Sequence, residues 1–342
     1  MSAILKTEAP PAPPTQAGAA AQVVPRPGLL DHPLHTRWFI VMLVALALLP
    51  VIANALDEGF YTGLASRILI FALAATSLNL ILGFGGMVSF GHAAFLGVGA
   101  YAVGILAQYG VLSAWISWPV AVLSGALFAL VVGSISLRTR GVYFIMITLA
   151  FAQMLYYLAI SLRDFGGEDG ISMNSRSTVG LGLKLTDDAT FYYIVLALFA
   201  IVFVLVQRCL NARFGHVLQA VRENETRMEA VGFPVYRYKL AAFTIAGGLA
   251  GLAGALVANQ TGIVTPSLLS WPQSGALMVM VIVGGVGHIY GGLAGAIVLL
   301  LIEEIASSYT MHWQFGVGAV LLAVVLIAPN GLMGMIKRRR KQ

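Results

Sequence analysis

The chain has 342 residues, 59% of them hydrophobic and only 10% charged, with a net charge of +6 and a mean hydropathy of +0.87. A soluble domain carries about 45–50% apolar and about 25% charged residues, so these proportions exclude an ordinary soluble enzyme. They equally exclude a disordered chain, which needs low hydrophobicity and high charge.

The first 37 residues hold Pro10, Pro11, Pro13, Pro14, Pro25 and Pro27 among many alanines and glycines, a composition that predicts a disordered tail. Beyond it the chain is a series of apolar runs. A helix needs about 20 mainly apolar residues to cross the hydrocarbon core. Ten runs approach that length, near 38–56, 64–83, 87–108, 115–137, 141–162, 190–210, 239–259, 272–288, 289–308 and 314–330. The predicted fold class is all-α: a polytopic transmembrane helix bundle of about ten spans (8–10) over residues 38–336, with a basic tail at 337–342. The run at 87–108 and the pair between Pro272 and Ser308 are interrupted by glycine. Such stretches read as broken or re-entrant helices, which a bilayer tolerates only where protein or a water-filled cavity satisfies the backbone. Ala53-Asn54-Ala55 resembles a signal-peptidase site, but the long preceding tail and long apolar run favour an uncleaved first helix.

Lys and Arg stay preferentially on the cytoplasmic side. With the N-terminus inside, sixteen of twenty basic residues fall on inside segments, and only Arg67, Arg163, Arg176 and Lys184 fall outside. Nine of the fourteen acidic residues lie outside. Both termini are predicted cytoplasmic. The basic run at 337–341 directly follows a hydrophobic span, so it reads as an anchor beside anionic lipid heads rather than as a nucleic-acid site.

No recognisable catalytic set occurs. The chain lacks GxxxxGK[ST], HExxH and GxSxG, so it should not bind ATP by itself. The single cysteine, Cys209, excludes an intrachain disulfide framework and cysteine-based metal sites, and no metal ligand set is predicted. Gly284-Gly285-Val286-Gly287 lacks the strand, third glycine and acidic partner of a nucleotide turn. Gly247/Gly251 and Gly291/Gly295 have the small-xxx-small spacing that lets helix backbones approach closely, and packing is the expectation for both. Ion-coupled carriers usually bury charge in their spans. Here Arg67 is expected in the first turn of its span, able to snorkel, and Glu303 and Glu304 near the outer end of the ninth. A proton-driven carrier is therefore disfavoured, and a path powered by another subunit fits better.

The polar side chains in or beside spans are Asn79, Ser89, His92, Thr148, Gln153, Asn259 and Gln260. Each reads either as a hydrogen bond to a neighbouring helix or as part of a translocation path. His92 follows the glycine-rich stretch 83–91, and His288 has a similar setting. The most hydrophilic segment between spans is 211–239, where two short amphipathic helices are predicted, the second closing at Gly232-Phe233-Pro234. They suit a lipid surface and a groove on a soluble partner equally well.

The stretch 77–95, containing Gly83-Phe84-Gly85-Gly86-Met87-Val88-Ser89-Phe90-Gly91-His92, resembles the LivM-type permeases, membrane subunits of branched-chain amino acid ABC importers. Three further blocks agree in order: Arg140-Gly141-Val142-Tyr143-Phe144 with Thr148-Leu149-Ala150-Phe151, the 220–239 loop, and Gly284-Gly285-Val286-Gly287 followed by Gly291. Ala328-Pro329-Asn330-Gly331-Leu332 is similar to the family's ending, and the resemblance covers about residues 60–335. It implies a permease subunit in a bacterial inner membrane, alternating between outward- and inward-open states. The implied partners are a LivH-like second permease as heterodimer, two ATP-binding subunits, a periplasmic substrate-binding protein and the lipid bilayer. No cofactor is implied, since ATP is bound by the partner subunits. Arg222, Glu223, Glu225, Glu229 and Gly232 become candidates for coupling to the ATPases; Asn79, Ser89, His92, Thr148 and Gln153 remain candidates for the path. The outside loop at 163–189 becomes a candidate contact for the binding protein. Related permeases serve urea, amides and aromatic or other carboxylates. Where many members carry Glu after the Thr148–Phe151 block, this chain has Ala152-Gln153, a departure that leaves the substrate open. A standalone channel or secondary carrier is the alternative outside this family.

Overall fold

A computed structural model describes residues 36–55, 59–173, 175–180, 185, 187–309, 312–327 and 331–339. Residues 1–35, nearly all of the tail predicted to be disordered, and 340–342 of the basic tail lie outside the described residues.

Each of the ten apolar runs coincides with a helix. These are α1 (Thr36–Ala55), α2 (Gly59–Asn79, continued by a π-helical turn Leu80–Phe84), α3 (His92–Gln108), α4 (Ala114–Ser136), α5 (Val142–Ser161) and α6 (Asp188–Asn211). Two short helices, α7 (Arg213–Glu223) and α8 (Glu225–Ala230), precede α9 (Val235–Thr261), α10 (Trp271–Gly284), α11 (Gly291–Tyr309), α12 (Trp313–Ile327) and α13 (Gly331–Arg339). Six helices among the described residues are long and apolar enough to cross a membrane: α2 with its turn, α4, α5, α6, α9 and α11. The apolar parts of α1, α3 and α10 are shorter. The molecule is a multi-pass, almost wholly helical membrane bundle. Among the described residues the strand structure is a two-residue antiparallel pair, β1 (Ile171–Ser172) with β2 (Ile263–Val264), and an isolated bridge between Ser113 and Thr178.

In lipid, apolar area alone does not drive helices together, so close backbone approach must do so. The small-xxx-small expectation holds on α9. Gly247 and Gly251 face α4, where a methyl group on Gly125 would sit 2.6 Å from the Gly247 carbonyl oxygen. Gly254 meets the α3 backbone at Leu96. Gly291 and Gly295 do the same between α11 and α10, against Gly285 and Met280. Around these seams sits a core centred on α2, which is buried along nearly its whole length. Two aromatic groups fill it. Phe95 lies edge-on to Phe243 (5.3 Å) and Phe128, joining α3, α4 and α9; Phe203 stacks on Phe39 (5.4 Å) and meets Tyr290, joining α1, α6 and the segment before α11.

Two sequence expectations need correction. Helix α3 begins at His92, not near 87, because residues 85–91 leave the helix after Gly85 and Gly86. Helix α2 begins at Gly59 rather than near 64, since Gly63 is accommodated within it. Arg67 therefore lies two turns inside the helix, not in its first turn, and meets Glu303 of α11 at 3.4 Å.

Candidate functional site

The two ends of the bundle differ. One, the sheet end, carries β1, β2 and the 163–187 loop. The other, the α7 end, gathers the last turn of α2, the start of α5, α7, α8 and the break between α10 and α11.

At the α7 end α2 does not stop cleanly. Leu80–Phe84 widens into a π-helical turn, a distortion that recurs at functional sites, and the Met87 amide closes it by donating to the Ile81 carbonyl. Asn79, at the start of this turn, reaches across to residues more than two hundred positions away. Its amide nitrogen donates to the His288 carbonyl (2.8 Å), and its oxygen accepts from the Gly287 amide (3.0 Å). Asn79 thus holds the non-helical turn that separates α10 from α11. The two glycine-rich motifs, around 83–86 and 284–287, meet here because each lacks the side chain that would keep the other away. A methyl group on Gly83 would collide with Asn79 and lie 2.5 Å from the Gly287 nitrogen.

Arg222, near the end of α7, lies across the same junction, and its guanidinium donates to the Gly83 carbonyl. Helix α7 packs inward through Gly215, Leu218, Gln219 and Val221, so the predicted amphipathic face is present, with Val217 only half-buried. Helix α8 is capped at its start by Asn224, whose side chain accepts from the Arg227 amide (2.8 Å). It ends as the sequence predicted. Gly232 has φ +94°, its amide donates to Glu229 O and the Phe233 amide to Met228 O, the paired bonds of a Schellman turn.

The acidic residues of this loop are engaged inside the chain. Glu225 meets Lys239 at 2.8 Å and Arg140 at 3.5 Å, and Glu229 meets Arg140 at 3.2 Å. Glu223 is exposed. A charge reversal at Glu225 and Glu229 would therefore break an internal clamp as well as alter any outer contact. Beside exposed polar residues such as Glu223, Arg227 and Arg237, the loop presents two apolar side chains outward: Val231 is 67% exposed and Phe233 36%. The sequence signal for them was available, two apolar residues flanking Gly232 in an otherwise hydrophilic loop.

Of the candidate path residues, Asn79 is committed to the α10–α11 turn. Ser89 is buried and accepts from the Gly91 amide (3.2 Å). His92 is fully buried, 2.7 Å from Ser77 Oγ. Because the Ser77 hydroxyl donates to the Ala74 carbonyl, His92 Nε2 is the donor to Ser77, leaving Nδ1 a bare acceptor with no partner among the described residues. Beside it, the Ala93 amide donates to Ser274 Oγ (2.9 Å), tying the start of α3 to α10. Ser77 and Ser274 were not singled out from the sequence, although each is a small polar residue inside an apolar run. Thr148 is buried on α5, its hydroxyl turned back to the Ile145 carbonyl and its own carbonyl against Gly91. Gln153, further along α5, is half-buried. Ser77, Ser89, His92, Thr148 and Ser274 are thus gathered where α2, α3, α5 and α10 converge. Asn259 and Gln260 instead serve packing: Asn259 accepts from the Ser177 amide (2.7 Å), and Gln260 donates to the Gly63 carbonyl (2.8 Å).

Toward the sheet end, α3, α4 and α5 enclose an almost wholly apolar cleft of about 290 Å³, lined by Tyr101, Ile105, Leu155, Leu158 and Phe165 among others. A second cleft, of about 390 Å³, lies between α2, α10, α11 and α12 and contains the Arg67–Glu303 pair. No group of three or more metal-ligating side chains occurs among the described residues.

A family model described as "Branched-chain amino acid transport system / permease component" matches residues 60–328. The chain is similar to the high-affinity branched-chain amino acid transport system permease protein LivM of Escherichia coli strain K12, 27% identical over 324 residues that cover 88% of this chain and 76% of that protein. It is 23% identical over 313 residues to a probable branched-chain amino acid transport permease protein LivM of Methanocaldococcus jannaschii, covering 77% of this chain and 90% of that one. A shorter match, 29% identical over 147 residues, joins 39% of this chain to 44% of the probable LivH permease protein of the same organism. No solved structure matches the chain.

Proposed function

The chain belongs to the branched-chain amino acid transport system permease family, and from that premise we propose that it forms half of the translocation path of a binding-protein-dependent ABC importer. In this reading it lies in a bacterial inner membrane as about ten spans, formed by α1–α6 and α9–α12, with the α7 end and both termini cytoplasmic. The other half of the path is a LivH-like permease, a pairing supported by the chain's partial similarity to LivH proteins as well as LivM. Two ATP-binding subunits and a substrate-binding protein complete the machine. The substrate class is branched-chain or related amino acids.

The single observation that carries this reading is the family match across residues 60–328. The sequence supports it independently, since it contains no phosphate loop and its richest charge lies in one hydrophilic segment. Alternating access is a two-state equilibrium, and an energy source shifts it only by binding the two states differently. The exposed Val231 and Phe233, with Glu223 nearby, provide an apolar knob for a groove on an ATPase. At the other end, the described residues of the 163–189 loop are the candidate contact for the binding protein. In this reading the buried polar group at Ser77, His92 and Thr148 borders the path.

Reconstitution tests the proposal. In vesicles with no ion gradient, uptake should require both the ATPases and the loaded binding protein, and should stop when either is left out. Uptake by this chain alone, driven by a proton gradient, would contradict it. A ligand screen on the cognate binding protein identifies the substrate; urea, amides or aromatic carboxylates in place of aliphatic amino acids would change the cargo without changing the machine.

A further inference from the structure

We propose that Arg222 is a positioning residue that carries displacement of α7 into the membrane bundle, first to the last turn of α2 and then, through Asn79, to the break between α10 and α11. The inference rests on the reading above, that force enters at the α7 end. It adds where that force goes.

The last carbonyls of a helix have no partner within it and carry the negative end of the helix dipole. Arg222 meets this need at α2, donating to the Gly83 carbonyl. The slot it occupies is cut by two further glycines. A methyl group on Gly86 would stand 3.0 Å from Arg222 Cγ, and one on Gly287 would stand 3.1 Å from its Nη1. Both glycines have positive φ, +68° and +74°, so the backbone there already excludes most other residues. One side chain from α7 therefore touches both glycine motifs at once, on segments that are distant in sequence.

From there the connection is Asn79. Its two hydrogen bonds, one donated and one accepted, fix the 285–290 turn to the end of α2 in both directions. Helix α7 is in turn set against α6, where Gly215 packs on the Leu210 backbone. Helix α8 is clamped by Arg140 and Lys239. It follows α7 across Asn224 alone, so a push on the exposed tip of α8 reaches α7 through the chain. Arg222 is an α7 side chain that bonds the α2 turn. Its planar fork of donors suits a junction that must hold while partners shift, because a second N–H can engage as the first lets go.

The test uses the complete transporter in vesicles, with both permeases, the ATPases and the loaded binding protein. ATP hydrolysis and substrate uptake are read in the same sample. For R222Q, hydrolysis stimulated by the binding protein should stay within about twofold of wild type, while uptake falls about tenfold or more, a coupling loss within the usual allosteric range. R222K, which keeps the charge and one donor, should recover part of the uptake. Asn79→Leu should give the same split, and adding it to R222Q should cost little more, because the two act in one chain of contacts. Parallel loss of hydrolysis and uptake in R222Q would make Arg222 an ATPase contact and overturn the proposal. So would full uptake. If R222Q does not assemble, R222K decides: reduced uptake per ATP supports the proposal, and an unchanged ratio rejects it. Failure of the wild-type complex to show ATP-dependent uptake would reject the importer reading itself, which separates the two.

Discussion

At the sheet end a backbone group takes part in most of the joins: Ile171–Ser172 pairs with Ile263–Val264, the Ser177 amide bonds Asn259, and the Trp115 ring nitrogen donates to the Val179 carbonyl (2.7 Å), beside an ion pair of Arg176 with Asp188 (2.7 Å). At the α7 end, charged side chains do the joining, with Arg140 and Lys239 on Glu225 and Glu229, and Arg222 on the Gly83 carbonyl. The contrast has a physical consequence. A buried amide that loses its partner costs about 1–3 kcal/mol, and a strand pair has one register. Ion pairs open to water, as those of Arg140 are, are worth about 0–1 kcal/mol each and can exchange partners. By this measure the sheet-end strand pair and the Ser177–Asn259 bond cost more to break than the Arg140 pairs at the α7 end.

Substitutions at the two ends should therefore fail in different ways. The largest effect is expected for Gly287→Val. A β-branched residue at φ +74° costs about 1–3 kcal/mol of strain, and it also crowds Arg222. Uptake in vesicles matched for protein should fall by about tenfold or more, with uptake per ATP falling too. Asn259→Leu comes next. It strands the Ser177 amide and should destabilise the purified complex by about 1–3 kcal/mol, lowering its thermal midpoint while leaving uptake per ATP unchanged. An unchanged midpoint would remove the sheet end's claim to rigidity. Arg140→Gln removes two partly exposed ion pairs, worth about 0–1 kcal/mol each. Its small effect on the midpoint should vanish at about 1 M salt, where charges are screened within about 3 Å.

The smallest effect concerns Asp187, which caps α6 at the sheet end. The Thr190 hydroxyl and then its amide hold the Asp187 carboxyl below the ordinary aspartate value. A group with a lowered pKa contributes stability above its unfolded value, about 3.9, and loses it as the pH falls through the folded value. The thermal midpoints of wild type and Asp187→Asn should differ slightly at neutral pH and converge in acid. Divergence in acid would reverse the assigned sign.

Much of the architecture was legible because lipid imposes one rule, long apolar helices, and ten apolar runs in the sequence are ten helices in the structure. The close of α8 at Gly232 and the glycine seams of α9 and α11 were legible for equally local reasons. What the sequence hid was depth and distance. The apolar run lies near 64–83, yet the helix extends back through Gly63 to Gly59, so Arg67 lies deeper in α2 than expected. The sequence singles out Asn79 for the path, Arg222 for the ATPases and Gly287 within a glycine motif, each apart from the others. Their meeting depends on α2, α7 and the α10–α11 break folding together, which no local pattern encodes. Glu225 and Glu229 were read as outward contacts for the same reason, since nothing in the loop itself points to Arg140.

If α7 passes its displacement to the α10–α11 break, the distance between them changes while the β1–β2 pair at the sheet end keeps its register. Cys209 is the single cysteine, so a Cys209→Ser background allows pairs of spin labels to be placed on exposed positions. One pair, at Val231 and Val286, reports on the α7 end; the other, at Tyr109 and Ile263, reports on the sheet end. In the complete transporter, trapping ATP should shift the 231–286 distance by up to about 5 Å, the scale of a one-turn helix displacement, while the 109–263 distance stays fixed. A sheet-end distance that moves while the α7 end does not would contradict the claim.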